Sequence, residues 1–199
     1  MIALLFAQLA VAAPYVEAED TFSDVHLRLD TDVTWGIGGQ MYLGAQTHLL
    51  AQMPAWHGAR SSGTFDVSLR AAYGNEGAYF APWLDPEVVF SEGHRLQLQL
   101  GVGHAFHIGQ QRRFTLGVQA LAGWNHLTRV ARITYTEEDF AAEGRSGDND
   151  LVVSGELTMA YRLHDRVGLN LSLNAPVPLE STYIITMAQV GFGVSWYLR

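Results

Sequence analysis

From about Asp24 to its last residues the chain alternates apolar side chains with small or polar ones. Across 95–106, Leu96, Leu98, Leu100 and Val102 share one parity, and Arg95, Gln97, Gln99, Gly101 and Gly103 the other. Near the end, Ala188, Val190, Phe192, Val194, Trp196 and Leu198 alternate with Gln189, Gly191, Gly193, Ser195 and Tyr197. A strand sends successive side chains to opposite faces, so each stretch makes one apolar and one polar face. The pattern predicts eight strands, at roughly 24–35, 40–52, 64–73, 94–108, 113–128, 150–163, 166–174 and 183–198. Most have the ~9–11 residues that a tilted strand needs to cross a bilayer.

The connections alternate between short and long. Residues 109–113 and 164–166 read as tight turns, 74–93 and 129–149 as long loops, and 175–182 as intermediate. Two fit the alternation poorly: 36–39 is short where a long loop is expected, and 53–63 is long where a turn is expected. Segment 78–90 has strand-like residues, but Pro82 and Pro86 remove two ladder donors, so most of it reads as loop. With eight strands both chain ends fall on one side, the periplasmic one. The run 136–150 sets Glu137, Glu138, Asp139, Glu143, Asp148 and Asp150 against Arg145 alone. It lacks the Gly and the distant Glu of an EF-hand and reads as a solvated loop.

The polar parity decides which face is outside. It carries mainly Gly, Ser, Thr, Gln and Asn, such as Thr115, Gly117, Gln119, Gly123 and Asn125. A water-facing surface would be rich in charge, whereas small polar groups suit the cramped interior of an eight-stranded barrel. The apolar parity is almost free of charge, as lipid contact demands. If the first strand runs outward, Phe65, Phe106, Phe114, Tyr161 and Trp196 fall on the apolar face near the periplasmic rim. Trp35, Tyr73 and Trp124 fall near the outer rim. Two aromatic girdles are what a membrane barrel shows. The expected fold is therefore an eight-stranded antiparallel up-and-down transmembrane β-barrel. A soluble lipocalin-like barrel, apolar inside, is the competing fold.

Composition narrows the function. The chain has 199 residues and no Cys, which removes disulfides, thiol nucleophiles and thiolate metal sites. Its net charge of −8 argues against a nucleic-acid partner. Residues 1–12 are apolar and end in Ala10-Val11-Ala12, a small-x-small pattern that predicts a signal peptide cleaved before Ala13, although the usual positive start is missing. Pro14 and the acidic Glu17, Glu19 and Asp20 follow. The expected organisation is a signal peptide at 1–12, a periplasmic segment at 13–23 and a barrel at 24–199.

On this alternation and girdle placement the mature chain resembles the small outer-membrane β-barrel families, the group of the OmpA transmembrane domain and the OmpX- and OmpW-like proteins. The resemblance is one of architecture. It implies residence in the bacterial outer membrane, contact with outer-membrane lipid and lipopolysaccharide, and delivery by the outer-membrane assembly machinery. That machinery reads a terminal aromatic residue in such proteins. Here the chain ends Trp196-Tyr197-Leu198-Arg199, so the alternating positions match and the last aromatic is absent. A monomer without cofactor is expected.

The inward parity gathers His26, Arg28, Asp30, Asp32, Asp66, Arg70, Arg95, Glu156 and Arg162. Charges shielded from water need partners, so these predict interior ion pairs, with Glu156 reaching Arg70 first and Arg28 second. The same groups could instead line or gate a conduit. The eight His show no HExxH or other ligand spacing; His104 and His107, three apart on a strand, face opposite ways. Ser154 and Glu156 share a face, but no motif ties a His to them, so no catalytic set is expected. Gly36-Ile37-Gly38-Gly39 lacks the Lys-Ser/Thr ending of a phosphate loop and reads as a turn. The expected role is structural, or recognition through loops 74–93 and 129–149. A narrow pore, a lipid-modifying enzyme and a soluble binder follow in that order.

Overall fold

A computed structural model describes residues 25–37, 42–58, 60–76, 79–81, 87–109, 111–135, 140–179 and 188–198. The expected signal peptide and the segment 13–23 lie outside the described residues. The described strands are β1 (His26–Ile37), β2 (Tyr42–His57), β3 (Ser61–Glu76), β4 (Tyr79–Ala81), β5 (Glu87–Ile108), β6 (Phe114–Tyr135), β7 (Phe140–His164), β8 (Val167–Pro178) and β9 (Ala188–Leu198). Each pairs antiparallel with its sequence neighbour, β1 pairs with β9, and β3 pairs directly with β5. Eight strands thus close a ring in up-and-down order, and β4 adds a short pairing beside β5.

Backbone register explains why the alternation was readable. Val67, Leu69, Leu98, Leu100, Val102 and Val118 point out and are exposed, Leu100 by 68%. Gln97, Gln99, Ser68, Gln119, Asn170 and Asn174 point in and are buried. A closed ring leaves no open strand edge, and an apolar exterior around a polar interior is the build of a transmembrane barrel. The soluble alternative required the opposite arrangement.

The ends differ from expectation. The described residues of segment 129–149 are strand, not loop: β6 and β7 stay paired to Tyr135↔Phe140, eleven pairs beyond Trp124↔Leu151. At ~3.3 Å per residue this adds roughly 35 Å of ladder, in which β5 also takes part, paired with β6 as far as Glu87↔Thr134. Antiparallel pairing is a backbone property, so it continues where the apolar face ends. Segment 74–93 is likewise mostly ladder, since β3 reaches Glu76 and β5 begins at Glu87. Segment 78–90 contributes Tyr79–Ala81 and Glu87–Phe90 to strands; Pro82 and Pro86 lie outside the described residues. Segment 53–63 also resolves: β2 runs on to His57 through an irregularity between Pro54 and Trp56, leaving a tight turn before Ser61. A bulge accommodates Pro54, which has no N–H to give the ladder.

Two ends of the barrel follow. The turn end holds the connections after β2, β5 and β7 together with the first residue of β1 and the last of β9. The long-strand end holds the β6–β7 extension.

Candidate functional site

The interior is centred on Arg70, on β3, whose side chain is fully buried. Its Nε and Nη2 donate to Gln46 Oε1 at 3.0 and 2.6 Å, Nη1 donates to Gln99 Oε1 at 2.6 Å, and Nη2 donates to Gln189 Oε1 at 3.0 Å. These amides come from β2, β5 and β9, so one guanidinium ties widely spaced strands across the lumen. The amides pass the polarity on. Gln46 Nε2 donates to Asp32 Oδ2 at 2.7 Å and to Ser172 Oγ at 2.9 Å, and Gln99 Nε2 donates to Ser154 Oγ at 2.9 Å.

Glu156, on β7, lies against this group. Arg70 Nε is 3.5 Å from its Oε2, His48 Nδ1 is 3.1 Å from its Oε1, and Asn174 Nδ2 donates to Oε2 at 3.3 Å. Arg70 is therefore the arginine that reaches Glu156. Arg28 instead pairs with Asp30, with Nη2 at 2.8 Å and Nε at 3.1 Å from Oδ2.

The remaining interior charges are spread along the barrel. Asp66 takes neutral donors, Thr64 Oγ1 at 2.7 Å and Gln52 Nε2 at 3.2 Å. Arg95 is buried nearer the long-strand end, between Gly74 and Leu127 in the ladder. Arg162 sits at the turn end, where Nη2 donates to the Asp165 carbonyl at 2.7 Å and the guanidinium lies 4.3 Å from the Tyr197 ring centroid.

On the outer face, Trp35, Tyr73, Trp124, Phe65, Phe106 and Trp196 are exposed, and Phe114 is half-buried. Tyr161 departs from the expected lipid-facing girdle: its register is outward, yet it is only 4% exposed. It sits between Phe114 and Leu169 in the ladder, and a ring covered by neighbouring side chains cannot serve as an open lipid anchor. On β3, Phe65 and Tyr73 are eight residues apart, about 20 Å along the axis after strand tilt, close to the ~25 Å apolar band of such barrels. Trp56 joins the lower aromatics, 6.5 Å from Phe106. The sequence reading missed it because it placed 53–63 outside a strand. His94 stacks on Tyr73 and His126 on Trp124 at the upper girdle.

One imidazole–hydroxyl chain escaped the sequence reading. Thr115 Oγ1 lies 3.0 Å from His107 Nδ1, His107 Nε2 3.3 Å from Thr64 Oγ1, and Thr64 donates to Asp66. The period-two pair Thr64/Asp66 was visible, but its meeting with His107 needed the β3–β5 register. Thr64 has one proton and gives it to Asp66, so His107 faces it as an N–H donor. With Nε2 carrying the proton, Nδ1 is the accepting nitrogen and takes the hydrogen bond of the Thr115 hydroxyl, so His107 is no base toward Thr64. Ser154 Oγ accepts from Gln99 and from Asn174, at 2.9 and 3.2 Å. Among the described residues no three His, Asp or Glu side chains gather as metal ligands.

No protein-family model matches the chain, and no characterised protein matches it by sequence. Solved structures do match it in shape. The N-terminal β-barrel domain of Pseudomonas aeruginosa OprF is 16% identical, with 88% of this chain and 100% of that one covered, at a TM-score of 0.44. Ail, the attachment invasion locus protein of Yersinia pestis, is 9% identical, with 87% and 97% covered, at 0.45. Outer membrane phospholipase A of Escherichia coli is 9% identical, with 88% and 97% covered, at 0.29. Likeness at this level carries no argument about activity; the fold rests on the closed ladder itself.

Proposed function

We propose that the protein is a bacterial outer-membrane barrel with a structural or surface-recognition role and no catalytic one. The observation that carries this is the interior: Arg70, held by Gln46, Gln99 and Gln189, bridges the lumen, and in this reading the cluster plugs it. An eight-stranded barrel has just enough room for such a plug. The long β6–β7 ladder supports recognition, because it holds a polar segment well beyond the aromatic level. In this reading the long-strand end faces outward beside lipopolysaccharide, the chain is a monomer, and the assembly machinery engages β9. A planar-bilayer recording of the folded protein should show no conductance steps, and lipid hydrolysis assays should show no turnover. Sustained conductance would remove the plug reading, and turnover would remove the non-catalytic one.

A narrow passage is the second reading. Its support is the length of the Arg70–Glu156 contact, 3.5 Å against 2.6 Å for Arg70–Gln99. Glu156 is thus the more loosely held partner. Under this reading Glu156→Ala opens conductance without altering the melting behaviour of the barrel.

A further inference from the structure

The charge of this chain is polarised along the barrel. The described residues of 74–93 and 129–150, at the long-strand end, include six carboxylates against three arginines. The turn end reverses this. Arg60, Arg112, Arg113, Arg162 and Arg166 lie there, and Asp165 is the one carboxylate among its described residues.

These arginines stand on a fixed frame. The Arg60 carbonyl accepts from Gly109 N at 3.0 Å, the Arg113 carbonyl from Arg162 N at 2.8 Å, and the Arg166 carbonyl from Tyr197 N at 2.9 Å. Each turn is thereby tied to the strand beside it, and the arginines are set along more than half the ring. Arg112 is held by His57 Nε2 at 2.6 Å and the Gly58 carbonyl at 3.3 Å. Arg60 and Arg166 are exposed, and Arg113 is half-buried. One step toward the barrel middle come Trp56, Phe65, Phe106 and Trp196 on the outer face. Aromatic side chains settle at headgroup level, so the arginines beyond them stand at the height of lipid phosphates.

We propose that this arginine rim is a binding surface for anionic phospholipid headgroups in the leaflet at the turn end. The inference rests on the membrane reading above. A guanidinium matches a phosphodiester in both charge and geometry. The acidic opposite end would be repelled by the same lipids, so the polarity also favours one orientation. Glu17, Glu19, Asp20 and Asp24 precede β1 in the sequence, and the test keeps them in place.

The protein is folded into phosphatidylcholine bilayers containing spin-labelled phosphatidylglycerol or phosphatidylcholine of identical chains. Motionally restricted lipid is then measured by electron spin resonance. Phosphatidylglycerol should associate about two- to threefold more strongly, and 1 M salt should abolish most of the difference. The triple variant Arg60→Gln/Arg113→Gln/Arg166→Gln should bring the ratio close to one, while the corresponding Lys variant keeps most of it. Equal association of the two lipids with the wild type, or an unchanged ratio in the Gln variant, overturns the proposal. Absence of any restricted lipid signal would instead overturn the membrane reading on which it stands.

Discussion

Removing Arg70 tests the plug most directly. Its guanidinium lies 3.5 Å from Glu156, and both side chains are buried. At an effective dielectric constant of 20, that separation gives a gross attraction of about 5 kcal/mol, part of which is offset by desolvation. Arg70→Met leaves Glu156 with His48 and Asn174, and strips the donor from Gln46, Gln99 and Gln189. Breaking one side of a buried pair costs about 3–5 kcal/mol; the long contact argues for about 3. Glu156→Leu should cost a similar amount. Glu156→Gln should cost only about 1–2 kcal/mol, because its amide oxygen can still accept from Asn174 and lie against the Arg70 guanidinium. The double variant Arg70→Met/Glu156→Leu should be more stable than the sum of its parts implies, by about 2–3 kcal/mol. Urea unfolding from vesicles reads these differences through the fluorescence of Trp35, Trp124 and Trp196 on the outer face. Additivity within about 0.5 kcal/mol, or a Gln variant as unstable as the Leu variant, would refute the reasoning.

Other outcomes follow from the exterior and the backbone. Leu98→Arg or Val118→Arg should lower folding stability by about 2–4 kcal/mol at mid-membrane, whereas Gln97→Ser on the inner face should be mild; equal effects would invert the facing. Gly193→Ala should sharply reduce folded yield on a heat-modifiable gel, because a Cβ there meets the Thr31 carbonyl of the neighbouring strand, and normal yield would show that the strands can part. Protease added to intact cells should cut within 129–149 and spare 109–113; the reverse pattern would turn the barrel upside down.

The facing of nearly every membrane-level residue was legible because burial imposes period two on both sides of a strand. Leu98 and Gln97 show this, one exposed and one buried as their parity requires. Strand ends were less legible. Within 136–150 the sequence offers few apolar residues, so the acidic run read as a loop although the ladder continues to Tyr135↔Phe140. Pro54 hid the end of β2 in a similar way, since a missing N–H suggests a break where a bulge absorbs it. The interior was half-visible. Glu156 and Arg70 could be matched by height and charge, but the glutamines on Arg70 depend on registers between distant strands; Gln189 is 119 residues away from it. Nothing local in the sequence marks those amides as partners.

Closure of the ring has a consequence for how the chain is made. The ladder between β1 and β9 joins residues as remote as Thr31 and Val194, 163 positions apart. Until the last strand has been synthesised, β1 has no partner on that side and the sheet keeps two open edges. Unpaired backbone groups cannot be left in hydrocarbon, so no fragment that lacks β9 has a stable resting place in the bilayer. Insertion is therefore conditional on β9 being present. A ribosome that stops before Ala188 yields a polypeptide that stays in the aqueous compartment, exposed to proteases, however well its earlier hairpins have formed.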